Sequence, residues 1–183
     1  REVIHIGTFS KRLIPELRIG FILCPPPLRG PLATLKHALD LGASALMQHA
    51  LAEFLERGYL RAHLARVNPI YRARRDALEG ALAAHLPRGI RWQQPQQGLL
   101  LWLPLPRGIP PEAAAQEARR RGVLVGPSTL FSAGPEEQPG LRLTFSAEPP
   151  ERLVEGARRL GRALAALAPA ARAAPPGERP GLV

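Results

Sequence analysis

The sequence predicts an α/β chain: two short strands, then long helices, then a compact α+β unit. Three observations predict it. Residues 2–9 (EVIHIGTF) and 17–24 (LRIGFILC) are short runs rich in β-branched and apolar residues and read as buried strands. Between residues 32 and 82 apolar side chains recur at steps of three and four, the period of an amphipathic helix. Beyond Pro87, strand-like runs return between Gly, Pro and Gln turns, with one helix among them and another at the end.

Each element has a local reason. Pro25, Pro26 and Pro27 stop the second strand, because proline offers no amide to a ladder. Leu32, Leu35, Leu39, Leu46 and Leu55 mark one helical run, which Gly58 ends. Leu60, Leu64, Val67, Tyr71, Leu78 and Leu82 form the apolar face of a second, and Tyr71 on that stripe reads as core. Asn68-Pro69 lies inside this run and predicts a kink or a junction between two helices. Residues 91–93 and 98–103 read as strands around a polar turn. Pro110 and Pro111 open a helix that reaches Arg121; Gly122 ends it, and residues 123–125 read as a short strand. A Gly/Pro/Ser loop with Phe131 covers 126–140. In 141–146 (LRLTFS), Leu141, Leu143 and Phe145 alternate with Arg142 and Thr144, the pattern of a half-buried strand. Pro149-Pro150 opens a last helix with Leu153, Ala157, Leu160, Leu164 and Leu167 at helical spacing. From Ala168 the chain is Ala/Pro/Gly-rich and reads as a flexible tail.

Composition narrows the function. The 183 residues suffice for one domain, and no apolar stretch reaches the roughly 20 residues that a membrane helix needs. Cys24 is the only cysteine, so an internal disulfide or a cysteine metal cluster is impossible, and a reducing cytoplasm is the expected setting. The histidines show no H-E-x-x-H spacing, His49 and His63 read as surface or interface residues, and no metal site is expected. The net charge of +10 raises nucleic-acid binding, but the arginines are scattered through Ala/Leu-rich helices without a basic, aromatic-interleaved patch. Arg1 in place of a start methionine, followed at once by the apolar run 3–6, leads us to expect a C-terminal piece of a longer soluble protein.

Lys11 and Lys36 are the only lysines among 25 Lys and Arg residues. Where arginine is the default cation, a lysine inside an apolar segment asks for a chemical reason. Lysine can lose its proton and attack a carbonyl; arginine stays protonated. Thr8 and Ser10 place hydroxyls beside Lys11, and Arg18 adds a forked, permanent charge. An amine, two hydroxyls and a guanidinium together suit a cofactor with an aldehyde and a phosphate. Desolvation among apolar residues would favour the neutral, nucleophilic amine.

The segment GTFSK followed by P-E-L-R-I-G-F resembles the cofactor-lysine motif of fold-type I pyridoxal phosphate (PLP) enzymes, the aspartate aminotransferase superfamily. QHALAEFLERGYLRAHLARVNPIYRARRDAL is similar to its domain-linking helices, and GVLVGPSTLF with LRLTFS to its small domain, so the resemblance covers residues 2–167. It is strongest to the aminotransferase-like domain of MocR-type regulators of the GntR family, with free-standing aminoadipate or kynurenine aminotransferases close behind. Arg12, Ile14 and Glu16 depart from the family's usual Thr and small residues.

The resemblance implies the C-terminal part of the aminotransferase fold: a large-domain remnant at 1–30, linking helices at 31–87, a small α+β domain at 88–167 and a tail at 168–183. It implies PLP on Lys11, its phosphate held by Thr8, Ser10 and Arg18, a substrate carboxylate on Arg142, and Phe131 near the substrate. The family's remaining cofactor contacts are expected before Arg1, so the piece alone is not expected to be catalytic. The implied partners are an amino acid or 2-oxo acid, a second copy in a homodimer, and DNA only through an upstream domain in a regulator.

Overall fold

The computed structural model describes residues 3–132, 134 and 138–173. The chain divides into two compact units, Arg1–Asn68 and Pro69–Val183.

In the first unit, β1 (His5–Thr8) and β2 (Gly20–Leu23) pair antiparallel, with Ile6 opposite Ile22 and Thr8 opposite Gly20. Glycine is required at two points of this hairpin. A Cβ on Gly7 would lie 2.2 Å from the Phe21 ring, and one on Gly20 would lie 2.8 Å from the Gly7 carbonyl oxygen. The strands were expected to be buried, but Ile6 is 75% exposed and Ile22 49%. The cause is the size of the sheet: two strands cannot cover their own faces, and no third strand joins them among the described residues.

Helix α1 (Pro26–Asp40) starts earlier than the sequence suggests, because prolines in a first turn lack only amides that have no helical partner. The single helix expected over 32–55 is two, α1 and α2 (Ala45–Glu56). Leu41 turns left-handed at φ 55°, and the Asp40 carboxylate accepts from the Gly42 amide at 2.8 Å and from Lys36 at 2.9 Å. Ser44 then caps α2 by accepting from the Met47 amide. Helix α3 (Tyr59–His85) carries Pro69 inside one continuous element rather than breaking into two, since proline removes one donor and leaves the other ladder bonds in place.

The second unit is built on a three-stranded antiparallel sheet of β3 (Leu100–Pro104), β4 (Gly126–Pro127) and β5 (Gly140–Thr144), in the order β3-β5-β4. Its inner face presents Leu101, Leu103, Leu141 and Leu143 to Ala114 and Ala118 of α4 (Pro111–Arg120), to Leu160 and Leu164 of α5 (Pro150–Ala173), and to Leu78 and Leu82 of α3. The alternation in 141–146 holds: Leu141, Leu143 and Phe145 are buried while Arg142 and Thr144 are exposed.

Two strand expectations fail because other hydrogen bonds hold the segments. Residues 91–93 form no strand, because side chains tie this segment to α3: Trp92 Nε1 and Gln94 Nε2 donate to the Glu79 carboxylate at 3.1 and 2.8 Å. Residues 123–125 form none, because the Val123 amide closes the end of α4 on the Ala118 carbonyl at 2.9 Å; pairing begins at Gly126. Helix α5 continues to Ala173, and the remainder of the expected tail, 174–183, lies outside the described residues. No helix among the described residues is long and apolar enough to cross a membrane.

Candidate functional site

Four of the sequence-predicted residues share one connection. Thr8 ends β1, Ser10 and Lys11 occupy the turn that follows, and Arg18 lies two residues before β2. The turn is held by its backbone: the Phe9 carbonyl accepts from the Arg12 and Leu13 amides at 3.0 and 2.9 Å, and the Phe9 amide donates to the Ile19 carbonyl at 3.1 Å. A short helical turn at Pro15–Leu17 leads to Arg18, which is left-handed at φ 50°. A non-glycine residue in that region costs about 1–3 kcal/mol and persists where its surroundings over-determine it.

The donors of this turn fit a group with an aldehyde and a phosphate. Lys11 is exposed, so its amine is accessible to a carbonyl. Arg18 Nη1 makes only a long 3.5 Å bond to the Pro15 carbonyl, which leaves its fork largely available to oxygens. Thr8 Oγ1 accepts from the Ser10 amide at 3.1 Å and donates to the Ile19 carbonyl at 3.4 Å, a weak bond that a phosphate oxygen could replace. One expectation is corrected: Lys11 is exposed rather than desolvated among apolar side chains, and among the described residues the hairpin that carries it has only two strands.

The second unit brings Arg142 and Phe131 together. Arg142 stands at the centre of β5, paired with Trp102 on one side and Gly126 on the other. Its guanidinium carbon lies 3.7 Å from the centroid of the Phe131 ring. Such a cation–π contact holds a flexible side chain in one orientation at an exposed position. Gly126 makes room for it, since a Cβ there would stand 2.9 Å from the Phe131 ring. Sequence reading named Arg142 and Phe131, which are in contact, but not Gly126 or the buried Ser128 near them; the available signal was the Gly-Pro-Ser start of the loop that contains the aromatic. Among the described residues no group of His, Cys, Asp and Glu is placed to hold a metal ion.

No family model matches the chain. It is 35% identical over 159 residues to aromatic-amino-acid aminotransferase 1 of Thermococcus litoralis, covering 87% of this chain and 38% of that protein. It is 32% identical over 167 residues to the probable rhizopine catabolism regulatory protein MocR of Rhizobium meliloti, covering 91% of this chain and 34% of that protein. Among solved structures it matches the α-aminoadipate aminotransferase LysN of Thermus thermophilus, complexed with N-(5'-phosphopyridoxyl)-L-leucine, at a TM-score of 0.84 and 34% identity, covering 92% of this chain and 43% of that one. The chain belongs to the fold-type I PLP-dependent aminotransferase superfamily and has the fold of its C-terminal part. It spans about two fifths of the length of the aminotransferases it matches.

Proposed function

We propose that this chain is the C-terminal portion of a PLP-binding aminotransferase-like domain that serves as the ligand-sensing domain of a MocR-type transcriptional regulator. The observation that carries the cofactor reading is the gathering of Thr8, Ser10, Lys11 and Arg18 on one hairpin connection in a chain of this superfamily. The regulator half is supported by the MocR relative, which aligns with 91% of the chain.

In this reading PLP, when bound, supplies the electron sink for chemistry at an amino acid's Cα. Lys11 anchors it through its amine, Thr8, Ser10 and Arg18 hold its phosphate, and Arg142 grips the ligand's carboxylate through both arms of its fork. Phe131 keeps that fork facing one way. The Lys11 amine would also be the group placed to take and return the Cα proton of a bound amino acid. In a regulator, the filled and empty states would differ in domain arrangement, and so in the affinity of an upstream domain for DNA.

A second reading is a free-standing aminotransferase acting on an amino acid and a 2-oxo acid, supported by the relative from Thermococcus litoralis. In either case the parent protein is read as a cytoplasmic homodimer.

The test is absorbance of the full-length protein above the protein band. A cofactor band that Lys11→Ala abolishes is expected; a protein without such a band, or one whose band ignores Lys11→Ala, defeats the reading. Turnover of an amino acid with a 2-oxo acid then favours the enzyme, and ligand-dependent DNA binding without turnover favours the regulator.

A further inference from the structure

Among the described residues Ser128 is the one buried polar residue, 1% exposed, and it lies three residues before Phe131 in the loop that leads to the Arg142–Phe131 pair. It opens the short helical turn Ser128–Leu130 that ends at Phe131. Its Oγ accepts from the Gly140 amide at 3.1 Å, at the first residue of β5. Its carbonyl accepts from the Phe131 amide at 2.9 Å and from the Ser132 hydroxyl at 3.3 Å. One residue therefore fixes both the start of the strand that carries Arg142 and the aromatic residue that covers it.

We propose that Ser128 is a positioning residue that sets the direction of the Arg142 guanidinium through Phe131. The proposal deepens the carboxylate role given to Arg142 above and rests on that reading for its functional meaning. A simple packing role would not need the hydroxyl, because an alanine fills nearly the same space. A positioning role needs it, because the Gly140 amide is otherwise left buried without an acceptor and the turn loses its register on β5.

The test is the NMR signal of the Arg142 side-chain Hε in the full chain; with the guanidinium carbon 3.7 Å from the Phe131 centroid, the ring current is expected to shift it upfield. Phe131→Leu defines the unshifted position. Ser128→Ala should move the signal to that position while the amide signals of β3 and β5 stay dispersed, and Ser128→Thr, which keeps the hydroxyl, should retain the shift. Retention of the shift in Ser128→Ala overturns the proposal. So does loss of the shift only together with the β3 and β5 dispersion, which would make Ser128 a residue of the fold alone. The signal requires no ligand, so it reports on Ser128 separately from whether Arg142 binds a carboxylate. That second question is read by titrating the full-length protein with 2-oxoglutarate.

Discussion

At the scale of single residues, the proposed site would rely on side chains of different reach and charge that cannot be exchanged freely. Arg142 is the sharpest case. A guanidinium offers two parallel N–H donors to a carboxylate and a flat face to Phe131, 3.7 Å away. Lysine keeps the charge and loses both the fork and the face. Losing one hydrogen bond to a charged group costs about 1.5–3 kcal/mol. Arg142→Lys in the full-length protein should therefore raise the Kd for a 2-oxo acid by about 10- to 150-fold while the cofactor absorbance stays. An unchanged Kd would remove Arg142 from the carboxylate site. The candidate residues of the proposed site could be named from residue types: a rare lysine, hydroxyls beside it, a lone arginine on an alternating strand. Gly126 and Ser128 were not legible, because their roles are spatial. One matters for the space it leaves to Phe131, the other for an amide 12 residues away.

At the scale of elements, packing reverses what local propensity favours. Gly156 and Gly161 both lie inside α5, where glycine costs about 0.5–1 kcal/mol relative to alanine. A Cβ on Gly156 meets nothing within 4 Å, so Gly156→Ala should stabilise by that amount. A Cβ on Gly161 would sit 2.2 Å from the His85 carbonyl oxygen at the end of α3. That is backbone and cannot swing aside, and overpacking of this kind costs about 1–3 kcal/mol. Gly161→Ala should therefore lower Tm while Gly156→Ala raises it; parallel shifts in thermal denaturation would disprove the packing account. The same contrast explains which elements the sequence revealed. Helix α5 and strand β5 have a strong period and a clear inside, so both were readable. The break between α1 and α2 depends on a carboxylate that caps Gly42, and residues 91–93 are held by Glu79 from another element. Glu79 is not visible in a local window; Asp40 is, two residues from Gly42, but its residue type alone does not say that the helix stops there. A similar long-range tie fastens α5 to α4: Arg159 donates to the Arg121 carbonyl and is itself held by Glu155, whose carboxyl the Arg158 and Arg159 bonds lower to about 2.

At the scale of the whole molecule, burial is divided unequally between the two units. The connected core, from Leu78 to Leu164, lies entirely in Pro69–Val183. In Arg1–Asn68 the one buried apolar residue among those described is Leu51. A fully buried leucine contributes about 1.5–3 kcal/mol, while ordering each residue's backbone costs about 1–2 kcal/mol. One such residue cannot hold 68 in place, so the hairpin that carries Lys11 has a fold set by register and glycine contacts but little burial to protect it. Protection from amide exchange follows the free energy of opening, which is highest where apolar burial is densest. Hydrogen exchange on the 183-residue chain should therefore be slowest in β3, β5 and the 153–164 stretch of α5. It should be fast throughout β1 and β2, although both pairs of strands are laddered antiparallel in the same way. Matching protection of the two ladders would show that hydrogen bonding, rather than burial, decides local stability here, and would overturn the division drawn between the units.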